Sequence, residues 1–245
     1  GLVRDMDNPM TTRLELRSPN PTSNVYLCIA ASYQAILDGM KAMAKEKMSY
    51  EEITKEFSKS AGEEKFYLET HRSYRSEKDV FIAYDEEERN RLFGKPPATV
   101  WENLQAFKNY PEKKKVLFNG DVFNETILNS YKISILDRWV MELTGRILVE
   151  NMALVRKCKK LHGVENVTDL DVVNWEKINN LRNYLMKDSL ENKSLFTKIR
   201  EAVDREDYEL VSNLQLEMTE KITLLKNLYT NYKRNLLEDI CNNTK

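Results

Sequence analysis

Two arginines and a glutamate alternate with leucines in the stretch Thr12-Arg13-Leu14-Glu15-Leu16-Arg17-Ser18-Pro19-Asn20-Pro21. In a strand, alternation at period two places Arg13, Glu15 and Arg17 on one face and Leu14 and Leu16 on the other. A carboxylate offers hard oxygen ligands to a divalent cation. Guanidinium forks stay charged and grip a carboxylate or a phosphate through paired N–H donors. The face predicted here therefore suits a metal and an anion side by side.

A strand carrying such a face normally lies inside a sheet, yet only a short loop, with Arg4, Asp5, Asp7 and Asn8 before Pro9, precedes it. The chain thus reads as the C-terminal piece of a larger protein. Pro19 and Pro21 end the strand, and Thr22-Ser23-Asn24 offers N-cap candidates for a helix running to Met43. Tyr26, Ile29, Tyr33, Ile36, Met40 and Met43 recur at threes and fours and write its apolar face.

Ser49 with Glu52 forms a capping box ahead of Ile53 and Phe57, so a second helix is expected there. Residues 61–98 carry Gly62, Gly94 and Pro96-Pro97 and predict short helices and loops. Thr99 with Glu102 opens a helix through Trp101, Leu104 and Phe107, which Pro111 closes before a basic turn, Lys113-Lys114-Lys115. From Asp121 a longer helix reads through Leu128, Tyr131, Ile135, Trp139 and Leu143, continuing past Ile147 towards Lys160 and ending at His162-Gly163.

Only helix patterns follow Thr168: Trp175, Ile178, Leu181 and Leu185 in one, Leu195 to Val203 in a second, and a long final one. In that last helix Val211, Leu214, Met218, Ile222, Leu225, Tyr229, Tyr232 and Leu236 form a near-heptad seam that wants a partner. The helix at 170–187, folded back as a hairpin, or a second subunit could supply it.

Composition narrows the classes further. With 245 residues, 41% of them hydrophobic, the chain can bury a core, and seven glycines with six prolines are few enough to favour helices over a β-rich fold. A formal net charge of −1 with 31% charged residues implies a mixed surface, not one built to attract nucleic acid or an anionic membrane. Cys28, Cys158 and Cys241 are odd in number and lack C-x-x-C spacing, which indicates neither a disulfide framework nor a structural zinc site and fits a reducing, cytoplasmic setting. No apolar run approaches the roughly 20 residues of a membrane span, and residues 1–10 hold no signal-peptide core.

Other chemical-looking residues have plainer readings. His71 and His162 have no second His or Cys at ligand spacing and are assigned surface or capping roles. Glu86-Glu87-Glu88 and Lys113-Lys114-Lys115 read as solvated faces, and Trp101, Trp139 and Trp175 as core. No Walker, nucleophile-elbow or H-E-x-x-H motif is present.

The run TTRLELRSPNPTSNVYLCIAASYQAILDGM resembles the glutamine synthetase family, whose strand R-x-E-x-R-x-P-D is followed by N-P-Y-L and a helix ending in L-D-G-I. Val25 stands where the family has Pro, and Asn20 where it usually has Asp. A second echo lies between Thr99 and Trp139, in T-V-W-E-N-L-Q-A-F and then G-D-V-F-N-E-T-I-L-N-S-Y. Residues from about 150 onward look more like the helical C-terminal extension of the family's long forms.

This resemblance implies a mainly α fold: the C-terminal portion of a glutamine synthetase-like catalytic domain with one or two short strands at 1–148, then a helical-hairpin extension at 149–245. It implies ATP-dependent condensation of glutamate with ammonia through γ-glutamyl phosphate, in the service of glutamine biosynthesis and nitrogen metabolism, with Mg²⁺ or Mn²⁺ in the site and other subunits of a homo-oligomer as partners. By position, Glu15 is a metal ligand, Arg13 contacts nucleotide phosphate, and Arg17 contacts the substrate carboxylate or the phosphoryl group in transfer. The family's remaining carboxylate ligands, metal-binding His and nucleotide loop precede this strand. The isolated chain is therefore expected to be inactive, to bind ATP and metal weakly, and to expose an apolar face where the upstream sheet would pack. The alternative reading is a non-catalytic helical module for oligomerisation or regulation.

Overall fold

The computed structural model describes residues 2–3, 7–11, 13–14, 19, 23–164 and 167–243; for 2–3, 13–14 and 237–243 the backbone alone is described. The fold is mainly α, as the composition implies. Its β content among the described residues is one antiparallel pair, β1 (Leu2–Val3) and β2 (Arg13–Leu14), with Leu2 opposite Leu14 and Val3 opposite Arg13. The chain divides into two compact units, 1–95 with 110–125, and 96–109 with 126–245. The boundary at 148 that the resemblance implies is one of ancestry, which compactness does not address. Among the described residues no helix is long and apolar enough to cross a membrane.

In the first unit, α1 (Val25–Lys45) starts at Asn24, whose side chain accepts the Leu27 N–H at 3.2 Å. The second helix, α2 (Tyr50–Ser58), has the full expected box: Ser49 Oγ accepts the Glu52 N–H and Glu52 Oε2 accepts the Ser49 N–H. The expected irregular stretch holds two short helices, α3 (Val80–Ala83) and α4 (Glu86–Phe93). Gly94 caps α4 at φ +86°, a conformation that favours glycine.

Pro111 behaves differently from the expectation. It opens α6 (Pro111–Val116) instead of merely closing the preceding helix, and the three lysines lie in that helix's last turn. A proline at the first helical position forfeits an N–H that would be unpaired anyway, and cations near a helix C-terminus meet its negative end.

The second unit is a helix bundle. It contains α5 (Val100–Asn109), α7 (Glu125–Glu142) from residue 126 onward, α8 (Leu148–Lys157), α9 (Asp169–Met186), α10 (Leu195–Asp204) and α11 (Tyr208–Asn243). Its core joins Trp139, Leu143, Leu148, Val155, Ile178, Leu185, Leu195, Ile199, Val211, Met218, Leu225 and Tyr232, with Trp101 and Trp175 packed against it. The seam of α11 finds its partner inside the chain. Asp171 bonds Asn235 at one end and Tyr184 bonds Glu217 at the other, so α9 runs antiparallel to α11.

Between α7 and α8 the helix passes through a π turn at Leu143–Ile147. The extra residue carries the apolar phase across a step of five, which keeps both Leu143 and Leu148 fully buried.

The α8–α9 loop is tied down by two tyrosines of α11. The Tyr232 hydroxyl, itself fully buried, accepts the Leu161 N–H at 3.0 Å and the His162 N–H at 3.2 Å, and lies 2.7 Å from His162 Nδ1. Tyr229 accepts the Lys159 N–H. His162 is thus a half-buried loop residue held by Tyr232 and neither a surface residue nor a helix cap, since Cys158 is the C-cap of α8.

Asp171 is buried in the same region and closes an unexpected capping box with Thr168. Burial acts to raise its pKa, but hydrogen bonds from the Thr168 side chain, Asn235 and the Thr168 N–H, with nearby His162, outweigh it and hold the carboxyl below its ordinary value.

A depressed folded-state value means that stability is present above the unfolded carboxyl's pKa, about 3.9, and is lost as pH falls through the folded one. Acid titration of unfolding should therefore show a shallower loss for Asp171→Asn than for the wild type. In urea, Leu225→Ala should lower stability by roughly 2–5 kcal/mol, the range for emptying a fully buried leucine site.

Candidate functional site

The candidate face begins on β2. Arg13 pairs with Val3 across β1, and the intervening loop makes a 3-10 turn at Pro9–Thr11 in which Thr11 donates to the Asn8 carbonyl through both N–H and hydroxyl. Glu15 and Arg17 lie outside the described residues, so of the triplet only the Arg13 backbone is placed. Among the described residues no group of three or more His, Cys, Asp or Glu is arranged to hold a metal ion.

After the strand pair in the chain, α1 is positioned through a loop fixed by buried charge. The Glu56 carboxylate, nearly inaccessible, accepts the Phe66 and Tyr67 N–H groups and pairs with Lys59 at 2.7 Å. Burial opposes its ionisation, yet the Lys59 and backbone hydrogen bonds outweigh burial and hold the carboxyl below its ordinary value. Lys65 is buried beside it, and its ammonium donates to the carbonyls of Ser60 at 2.6 Å and Thr70 at 3.3 Å. Together these fix the 59–70 loop.

The loop in turn grips α1. The Tyr67 hydroxyl donates to Asp38, and burial with that carboxylate pushes the phenol up to about 12. Gln34, the buried residue of α1, donates to the Asn119 carbonyl at 2.8 Å, while its Oε1 has no partner.

Anchoring one side of α1 leaves the other bare. Tyr26 is 86% exposed and Tyr33 68%, and Val25, Ile29, Ile36, Leu37 and Met40 continue the same exposed stripe. From Val25 to Leu37 the helix carries no charged residue. The apolar face read from the sequence is real, and its side chains are exposed.

The bland readings of the charge runs hold. Lys113 pairs with Glu69, Lys114 with Glu125 and Lys115 with Glu112, so the basic triplet is neutralised and does not form a phosphate cradle. Glu69 is held below the ordinary carboxylate range first by its bond to Lys113, with burial opposing and the charges of Lys113, Arg72 and His71 adding to the shift. Glu86 to Glu88 fill the first turn of α4, where the helix dipole favours anions. In the second unit a groove of about 320 Å³ opens beside Trp101, Gln105 and Asn213, but Glu102 is spent on the Ala98 N–H and Ser212 on Thr99. It holds no nucleophile with an adjacent base.

The buried charges Glu56 and Lys65 were not legible as such, because both stand in polar sequence with nothing to mark them from solvated neighbours. Glu56→Ala would leave the Phe66 and Tyr67 amides unpaired and the Lys59 ammonium with the Glu64 carbonyl but no carboxylate. It should destabilise the loop by about 1–3 kcal/mol, read as faster hydrogen exchange at those two amides.

Residues 2–73 match the family model described as glutamine synthetase, catalytic domain. The matched stretch takes in β1, β2, α1, α2 and the loop to Ser73, and residues 74–245 lie outside it. No curated protein and no solved structure matches the chain.

Proposed function

We propose that this chain, whose segment 2–73 is glutamine synthetase-like, is part of an ATP-dependent glutamate–ammonia ligase. The observation that carries the reading is the coincidence of the family match with the charged strand. In that reading Arg13 binds nucleotide phosphate, Glu15 ligates a divalent ion, and Arg17 holds the substrate carboxylate or the phosphoryl group in transfer. The glutamate γ-carboxylate takes the terminal phosphoryl group of ATP, and ammonia then displaces phosphate from γ-glutamyl phosphate.

The donor chemistry of the triplet fits Mg²⁺ or Mn²⁺ beside a phosphate, since the metal would neutralise charge that two guanidinium groups also share. One carboxylate is not a cluster, however, so metal and nucleotide belong to the complete protein and no step is assigned to these residues alone. The bare stripe of α1 supports the same reading. It lies wholly within the matched segment and is uncharged from Val25 to Leu37, as befits a face covered permanently and not transiently. In the complete protein it packs against further catalytic-domain structure.

The second reading, a non-catalytic helical module, draws on the well-packed bundle of α9, α10 and α11, which holds no group of three or more His, Cys, Asp or Glu arranged for a metal ion among the described residues. The two readings separate cleanly in the complete protein. Glu15→Gln should lower turnover by at least about a hundredfold, the scale of losing one preorganised charge contact, whereas a purely interacting chain would keep its activity. Deleting residues 165–245 should abolish assembly if the helical module drives it; sedimentation unchanged by the deletion would remove that role.

A further inference from the structure

We infer that the end of the bundle where α8 passes into α9 docks on an anionic lipid surface. Leu161 and Val164 enter the headgroup layer, and Arg156, Lys157, Lys159 and Lys160 meet the lipid phosphates and carboxylates around them. The formal net charge of −1 hides this patch. From Arg156 to Val164 the chain carries four cations and no carboxylate. All four are exposed, and among the described residues none makes an ion pair. A fifth cation, Lys233, lies over the Tyr229 ring at 5.3 Å, and the Tyr229 hydroxyl in turn accepts the Lys159 N–H.

Position in the fold separates this patch from ordinary helix-end charge. Arg156 and Lys157 lie in the last turn of α8, where the negative end of the helix favours cations. Lys159 and Lys160 follow the C-cap, Cys158, so the helix end does not account for them. Next to them Leu161 is exposed, and Val164 is 92% exposed. Single exposed aliphatic side chains are common, but here two stand beside a cluster of like charges. The backbone beneath them is held, because the buried Tyr232 hydroxyl accepts the Leu161 and His162 N–H groups. The loop therefore presents these side chains without having to order first.

An anionic bilayer answers both features at once. Its surface potential attracts clustered lysines and arginines, whose long side chains keep their charge among the headgroups while short aliphatic ones sink below them. A fluid layer also takes side chains that stand out from the protein, with no matching pocket needed. Nucleic acid would satisfy the cations and leave Leu161 and Val164 in water. An acidic protein segment would have to supply a pocket for Val164. The patch lies wholly within the second unit and outside residues 2–73, so the inference is independent of the ligase reading.

Flotation of the 245-residue chain with lipid vesicles tests it. Vesicles of phosphatidylserine and phosphatidylcholine in equal parts should carry the protein upward at low salt and less so at high salt, whereas phosphatidylcholine alone should not. Lys159→Glu with Lys160→Glu should lower the partition coefficient at least about tenfold, because two attracted charges become repelled. Leu161→Ser with Val164→Ser should lower it about tenfold through lost apolar contact. Both pairs change exposed side chains, so circular dichroism should show wild-type helix content. Failure of the wild type to float overturns the inference. So does flotation that both pairs leave intact, which would assign the contact to another surface such as the exposed stripe of α1, or loss in the charge pair alone. Polyglutamate that binds the chain as tightly as the vesicles do would make the partner an acidic protein segment and overturn it as well.

Discussion

The apolar seam of α11 sets the second unit. Val211, Met218, Ile222, Leu225 and Tyr232 are buried along one side of a 36-residue helix, and α5, α9 and α10 pack on it. An amphipathic helix in a protein gains most of its stability by burying its apolar stripe. The polar ties follow from that burial. Once Tyr232 is inside, its hydroxyl needs partners, and the α8–α9 loop supplies two N–H groups and an imidazole. Asp171 likewise becomes tolerable inside only because Thr168 and Asn235 bond it.

In the first unit the same requirement is met on one side of α1 and left open on the other. Glu56 and Lys65 build a small polar core around the 59–70 loop, and that loop grips α1 through Tyr67 and Asp38. The opposite stripe, from Tyr26 to Met40, is exposed. A stripe that is both apolar and uncharged over three turns is poorly suited to solvent, and its place inside the segment matching a catalytic domain gives a reason for it.

Periodicity made most of the helices legible. The spacing of Val211 to Leu236 identified both α11 and its need for a partner, and the α9 pattern supplied one. Side-chain caps were legible where two residues sufficed, as at Ser49 and Glu52. The π turn was harder, since a step of five from Leu143 to Leu148 breaks the helical period, yet that break is itself the signal. Pro111 was read by its prohibition on continuing a helix, although its dihedral suits the start of one. Of the candidate site, the alternation that set Arg13, Glu15 and Arg17 on one face was visible from spacing alone; their roles came from family resemblance, because three charges on a strand fit many chemistries.

The central claim is that the charged strand belongs to a ligase site completed by other parts of the catalytic domain. The direct measurement is glutamate- and ammonia-dependent phosphate release from ATP, by a chain extended N-terminally to the whole catalytic domain and by residues 1–245 alone. The account predicts turnover in the extended protein and none in the shorter chain. Silence in both, with the extended protein folded, would contradict it and leave the helical bundle as the functional part.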